Sequence, residues 1–231
     1  MNPTRIFIAV ACHNRRRTAE LCLPTLRGAL GNDDHLVLYD DGSAEYDAHW
    51  LRQWGDRVVA TAEPIGIEAQ RVMHLRDFWR SDAQFLYFTD HDCIHDPDSL
   101  NMALDLHHHW GGLVCLYDTK AHSGLHGNTT HDKPDYPVII RRYAPGVSLF
   151  MSREKVGRVM QYVESLTAFD WQIPDILGNN CTVSRRSYID HLGVGGIRHP
   201  ASEGADGGDR ATNPTPWLVA KRAEIVAALS A

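Results

Sequence analysis

The chain has 231 residues, 43% of them hydrophobic and 23% charged, with a formal charge of −6. That length suits one large domain with a substantial core, and the acidic balance offers no broad basic field for gripping nucleic-acid backbone or anionic lipid. No apolar stretch approaches the roughly 20 residues that cross a bilayer, so no membrane span is expected. Met1 to Arg5 lead straight into an apolar run, with no signal peptide to read there. The cysteines (Cys12, Cys22, Cys93, Cys115, Cys181) are odd in number and form no Cys-x-x-Cys pair. Reduced thiols in a cytoplasmic protein follow.

In chain order, Ile6 to Ala11 reads as a buried strand running into Cys12-His13-Asn14-Arg15-Arg16-Arg17. A helix follows with Leu23, Leu26 and Leu30 on one stripe, and Pro24 predicts that it kinks or starts late. Leu36 to Tyr39 is a second strand, ending in Asp40-Asp41-Gly42-Ser43, and Val58 to Ala60 a third. Ile67 to Trp79 has helical spacing, and Phe85 to Phe88 reads as a strand buried on both faces. Alternation of strand and helix with short connections is the signature of a parallel sheet covered by helices.

The fourth strand runs into Asp90-His91-Asp92. On an extended backbone carboxylates two residues apart point to the same side, and a hard divalent cation that also holds a phosphate is one way to satisfy them. A solvated turn is the other. In parallel sheets ligands sit beyond the carboxyl ends of the strands. Three such ends here carry His13-Asn14-Arg15, Asp40-Asp41-Gly42-Ser43 and Asp90-His91-Asp92. An arginine and two carboxylate pairs on one edge have the chemistry of a nucleotide site.

Four motifs in order, Ala11-x-x-Asn14-Arg15, Asp40-Asp41-Gly42-Ser43, Gly66-x-x-x-x-Arg71 and Asp90-His91-Asp92, resemble the donor half of a GT-A glycosyltransferase, most similar to family two. The resemblance implies an α/β, Rossmann-like fold with a mixed, mainly parallel central sheet and helices on both faces. It implies a single catalytic domain over 1–231: a nucleotide-sugar half (1–96), an acceptor-side half (97–199), then a flexible lid and C-terminal helix (200–231). By the same likeness Ala11, Asn14, Arg15, Asp40, Asp41, Gly66, Arg71 and Asp90 would bind the donor nucleotide, with Asp41 or Asp40 on the nucleobase or ribose. Asp92 would hold a divalent metal, Mn2+ or Mg2+, and Asp90 would contact the ribose or a metal-bound water. Capping of a helix or turn is the alternative for Asp41. The sequence departs from the family at Pro64 and Val72, where asparagines are usual.

In the second half, Ser99 to Trp110 reads as a helix that ends in three histidines, and Leu113 to Tyr117 as a strand. Residues 118 to 137 form a long polar loop that we expect to border the acceptor. Val138 to Ile140 and Val147 to Met151 are strands around Arg141 and Arg142, which suit either phosphates or plain surface, and Ser152 to Ser165 is a helix. Asp170-Trp171 matches the place where the family keeps its general base, with Asp175 as the second choice and an N-cap as the alternative for Asp170. The resemblance makes His191, then His199, candidates to complete the metal site, imidazole being a competent ligand for manganese; a structural hydrogen-bonding role is the alternative for each. Residues 200 to 216, rich in glycine, suit a lid or a linker, and Trp217 to Leu229 is a helix with Leu218, Ile225, Val226 and Leu229 on one side.

These readings imply a metal-dependent, inverting transfer from a nucleotide-diphosphate sugar, a UDP-sugar first, to an acceptor hydroxyl. Hydroxymethylated DNA bases are one possible acceptor, which the acidic charge disfavours. A sugar-phosphate nucleotidyltransferase is the other enzyme class, disfavoured because Cys12 to Arg17 has no glycine for a phosphate loop.

Overall fold

The computed structural model describes residues 6–119, 129–131, 135–193 and 210–231. Its centre is a nine-stranded sheet in the order β3-β2-β1-β4-β9-β6-β10-β8-β7. Four neighbouring strands, β1 (Ile6–Cys12), β2 (His35–Asp40), β3 (Arg57–Ala60) and β4 (Phe85–Asp90), run parallel. β9 (Ser148–Ser152) runs against both β4 and β6 (Leu113–Cys115), after which β10 (Cys181–Ser184) lies parallel to β6. β8 (Val138–Arg141) and β7 (Thr129–His131) close that edge antiparallel. Every residue of β1 is buried, and successive strand residues point to opposite faces, so both faces of the sheet are covered.

The helices are α1 (Arg16–Gly28), α2 (Ala48–Leu51), α3 (Ile67–Arg80), α4 (Ser99–Trp110), α5 (Arg153–Met160), α6 (Phe169–Ile176) and α7 (Pro216–Ser230). α3 packs on β1 and α5, and α4 on β6 and β10. No described helix is long and apolar enough to cross a membrane. A two-stranded sheet, β5 (Cys93–His95) with β11 (Ile189–His191), stands apart from the main one. It has its own small core of Cys22, Ile94, Leu192, Leu218 and Ile225, built between α1 and α7.

Several details differ from expectation. α1 does not start late: it begins at Arg16 and runs through Pro24 to Gly28. The expected helix over 152–165 ends at Met160, and only a 3-10 turn, Val163–Ser165, follows. The polar loop contains β7. On α7 the buried stripe is Leu218, Arg222 and Ile225, while Val226 is exposed. Arg141 is no phosphate contact: it is buried, with Nη1 2.5 Å from Asp118 Oδ1. Arg142 is exposed and lies over the Tyr143 ring, 3.5 Å from Asp175.

Two histidines are locked into the core behind β4. His74 packs against Tyr39, with ring centroids 4.0 Å apart and the rings tilted by 44°, and burial together with the charge of Arg71 holds its pKa well below the usual value. His95 takes hydrogen-bond partners from Thr89 Oγ1 and the Cys93 carbonyl, and burial pushes its pKa down to about 3. Both stay neutral in the folded state, whereas the unfolded chain protonates near pH 6.5. Their contribution to stability is therefore complete above that pH and is lost as pH falls, for His95 by about 2 kcal/mol at pH 5. Urea melts at pH 7.5 and 5.0 should show this loss, and His95→Gln should shrink it. Equal stability at both pH values would contradict the assignment.

Candidate active site

The carboxyl ends of β1, β2 and β4 meet at one edge, as their parallel register requires. After β1, Asn14 and Arg15 both adopt left-handed backbone (φ 51° and 54°), a conformation that costs a non-glycine residue roughly 1–2 kcal/mol. Hydrogen bonds hold the turn. Asn14 N donates to Ser43 Oγ (2.8 Å), and Asn14 Oδ1 accepts from the amides of Ala44 (2.8 Å) and Glu45 (3.4 Å). The loops after β1 and β2 are thereby tied together, and the turn directs Arg15 across the edge to Asp92.

Asp40 lies behind the edge rather than on it: it is buried, and its Oδ1 accepts from Ser43 N. Asp41 uses both oxygens on backbone, accepting from Ile65 N (2.6 Å) and Gly66 N (3.0 Å) just ahead of α3. Gly42 has φ +61°, and a Cβ there would stand 2.6 Å from the Glu63 carbonyl carbon, so this crossing of two loops demands glycine. Asp41 is thus the strut that sets the start of α3 against the end of β2.

Arg71, buried on α3, reaches the end of β4. Its Nη2 donates to Asp90 Oδ1 (2.8 Å) and to the Gly146 carbonyl (3.4 Å), and its guanidinium lies over Phe88. Two residues on, the Asp92 carboxylate is almost wholly buried. Its Oδ2 takes Arg15 Nη1 at 2.5 Å and His191 Nε2 at 3.1 Å. Burial on its own pushes this carboxyl pKa up. The charges of His191, His91 and Arg15 outweigh it and hold Asp92 well below the usual carboxylate range. The small sheet accounts for the meeting of Asp92 and His191. Cys93 pairs with His191 across β5 and β11, and Leu192 N donates to Asp92 O (3.1 Å).

Asp92, His191 and Cys93 each offer a ligand atom, and these atoms lie within 4.8 Å of one another. Burial drives the Cys93 thiol pKa far up, so it keeps its proton at neutral pH and leaves an oxygen–nitrogen donor pair. That pair fits a divalent cation such as manganese. Asp90 stands outside the cluster with Arg71 on it, and His199 lies outside the described residues, as does most of the expected lid.

These groups border a cleft of about 690 Å³, a size suited to a small-molecule ligand. Of the residues singled out in the sequence, Ala11, Asn14, Arg15, Asp41, Gly66, Asp90, Asp92 and His191 line it. Glu45, Gln70 and Val147 also line it and were missed, as do His13 and His91, which the strand-end clusters contained but to which no role was given. His91 had a visible signal, since it lies between the two carboxylates. It is buried, with Nδ1 near the Ala11 carbonyl (3.1 Å), and among the described residues its Nε2 meets no partner.

Asp170 is in the first turn of α6 and caps nothing: the N-cap is Ala168. Its Cβ lies 3.3 Å from where a Cβ would stand on Gly146. Gly146 is the residue whose carbonyl meets Arg71, and its neighbour Val147 lines the cleft. Asp170 therefore stands just behind the cleft wall on the Asp90 side. Among the described residues its carboxylate has no hydrogen-bond or ion-pair partner, whereas the alternative Asp175 faces Arg142.

Comparison with known proteins agrees with this architecture. No curated protein matches the chain. Among solved structures, S. aureus TarS (residues 1-349) in complex with UDP superposes with a TM-score of 0.59 at 13% identity, over 80% of this chain and 59% of that one. The same protein with UDP-GlcNAc gives 0.56 at 13%, over 80% and 57%. The mannosyltransferase PcManGT from Pyrobaculum calidifontis, in complex with GDP-Man and Mn2+, gives 0.56 at 15%, over 80% and 58%. The chain thus spans less than two thirds of these relatives' lengths, and at such identities the likeness is one of fold, that of GT-A glycosyltransferases. The family description "Glycosyl transferase family 2" matches residues 7–190, from the first strand to the residue before His191, and by that match the chain belongs to glycosyl transferase family 2.

Proposed function

We propose that the protein transfers a sugar from a nucleotide-diphosphate donor to an acceptor hydroxyl, with inversion, using a divalent cation held by Asp92 and His191. The observation that carries this reading is the Asp92–His191 pair, 3.1 Å apart in a nucleotide-sized cleft. The complexes of the similar structures with UDP, UDP-GlcNAc, and GDP-Man with Mn2+ support it. A cation bound there supplies positive charge opposite the negative charge that grows on a departing diphosphate. Arg15, already 2.5 Å from Asp92, is the guanidinium best placed in the cleft to pair with phosphate oxygens. The donor half is residues 1–96 and the acceptor half 97–199.

Asp170 is the general base of this scheme. Its carboxylate takes the proton of the acceptor hydroxyl as the oxygen bonds to the anomeric carbon. The bond from that carbon to the diphosphate breaks on the opposite face, and the diphosphate leaves with the electron pair. A positioned base contributes ~10² to 10⁴ in rate. That its carboxylate has no partner among the described residues favours Asp170 over Asp175, whose oxygen is 3.5 Å from Arg142.

Two measurements test the scheme. Titration calorimetry with UDP and with GDP should show tighter binding in manganese than in chelator, and Asp92→Asn should abolish that difference. Affinity indifferent to metal would end the cation's role. Asp170→Asn should bind nucleotide as the parent does yet transfer sugar ~10²- to 10⁴-fold more slowly. Unchanged turnover would remove it as the base.

A further inference from the structure

A charged residue in the apolar stripe of α7 asks for a reason. Arg222 sits between Leu218 and Ile225 and is only 7% exposed. Its Nη1 donates to Asp190 Oδ2 (2.9 Å) and to the His191 carbonyl (3.3 Å). One nitrogen thus grips two consecutive residues of β11, the second being His191. Asp190 is itself buried, and its other oxygen accepts from Ala211 N (3.2 Å). β11 is three residues long and among the described residues pairs only with β5, so three ladder positions alone would hold it loosely.

α7 is anchored independently of this contact. Its N-cap Thr215 accepts from Leu218 N (3.2 Å) and donates to Asp96 Oδ2 (2.5 Å), one residue past β5. Leu218 and Ile225 pack with Ile94 of β5 and with Leu192, the residue after His191. The helix therefore rests on the strand that follows Asp92 and grips the strand that carries His191. Outer partners that orient a metal's ligating side chains typically change affinity 10–100-fold when mutated, and Arg222 acts on His191 one step further back, through its backbone carbonyl.

We infer that Arg222 is a positioning residue that holds His191 against Asp92, making divalent-cation affinity depend on its grip on β11 rather than on the packing of α7 in general. This rests on the ligand pair proposed above and adds a control point on the C-terminal helix, remote from the cleft.

The test is direct Mn2+ binding, read by electron paramagnetic resonance on the full chain without nucleotide or turnover. Arg222→Met combined with Asp190→Leu removes the buried pair without stranding a charge, and Arg222→Lys keeps one donor. The double variant should weaken Mn2+ binding at least tenfold and Arg222→Lys by less, while metal-free UDP binding stays within twofold of the parent. Ile225→Ala loosens the same helix without touching His191 and should lower the melting temperature while leaving Mn2+ affinity unchanged. A folded double variant with parental affinity, or an equal loss in Ile225→Ala, overturns the inference and leaves the ligand pair standing. A parent chain that binds no Mn2+, or a His191→Ala variant that binds it normally, overturns both.

Discussion

Asp92 carries a charge that has been taken out of water, and much of the surrounding architecture answers to it. An isolated carboxylate at that depth is untenable, and removing one partner from such a buried arrangement typically costs about 3–5 kcal/mol. The compensation comes from three separate places in the chain. Arg15 arrives from the strained turn after β1, His191 from the far end of the small sheet, and His91 from the residue alongside. Each needs its own scaffolding. The left-handed pair Asn14–Arg15 persists because Ser43, Ala44 and Glu45 over-determine it. The charge and the two loops that wrap it are therefore parts of one device.

The second carboxylate pair works differently. Asp41 looks from composition like a ligand-binding acid, and it does line the cleft, but both its oxygens are engaged by the amides ahead of α3. Asp40 braces its own turn. Acids beside a binding cleft can shape it without facing its occupant. Here the division of labour runs along the edge, with Asp40 and Asp41 setting the loops, Asp90 locking Arg71, and Asp92 presented with an imidazole.

What could be read from the sequence was what is local. The buried runs that became β1, β2 and β4 declare themselves by continuous apolar residues, and Asp40-Asp41-Gly42-Ser43 and Asp90-His91-Asp92 mark where they end. The alternation with α1 and α3 then puts those ends on one edge. The small sheet was not readable. Three-residue strands at Cys93–His95 and Ile189–His191 carry no periodicity of their own, and they pair across nearly a hundred residues. β10, with the sequence Cys-Thr-Val-Ser, is half polar and was missed for the same reason. On α7, hydrophobic periodicity pointed to Val226, whereas burial falls on Arg222 because a partner acid waits in β11. A charge that is welcome only because of a distant residue is invisible one residue at a time.

The reversed strand β9 has one more implication. Because it runs against β4, its first residue, Ser148, pairs with Thr89 at the end of that strand. The segment leading into it, Arg142 to Val147, is therefore delivered to the same rim as the outgoing loops of the parallel half. An incoming loop belongs to a different stretch of gene from the outgoing ones, and the hydrogen-bond ladder beneath is indifferent to its length. Evolution can redraw that side of the rim, and with it the choice of molecule admitted there, without disturbing the opposite side.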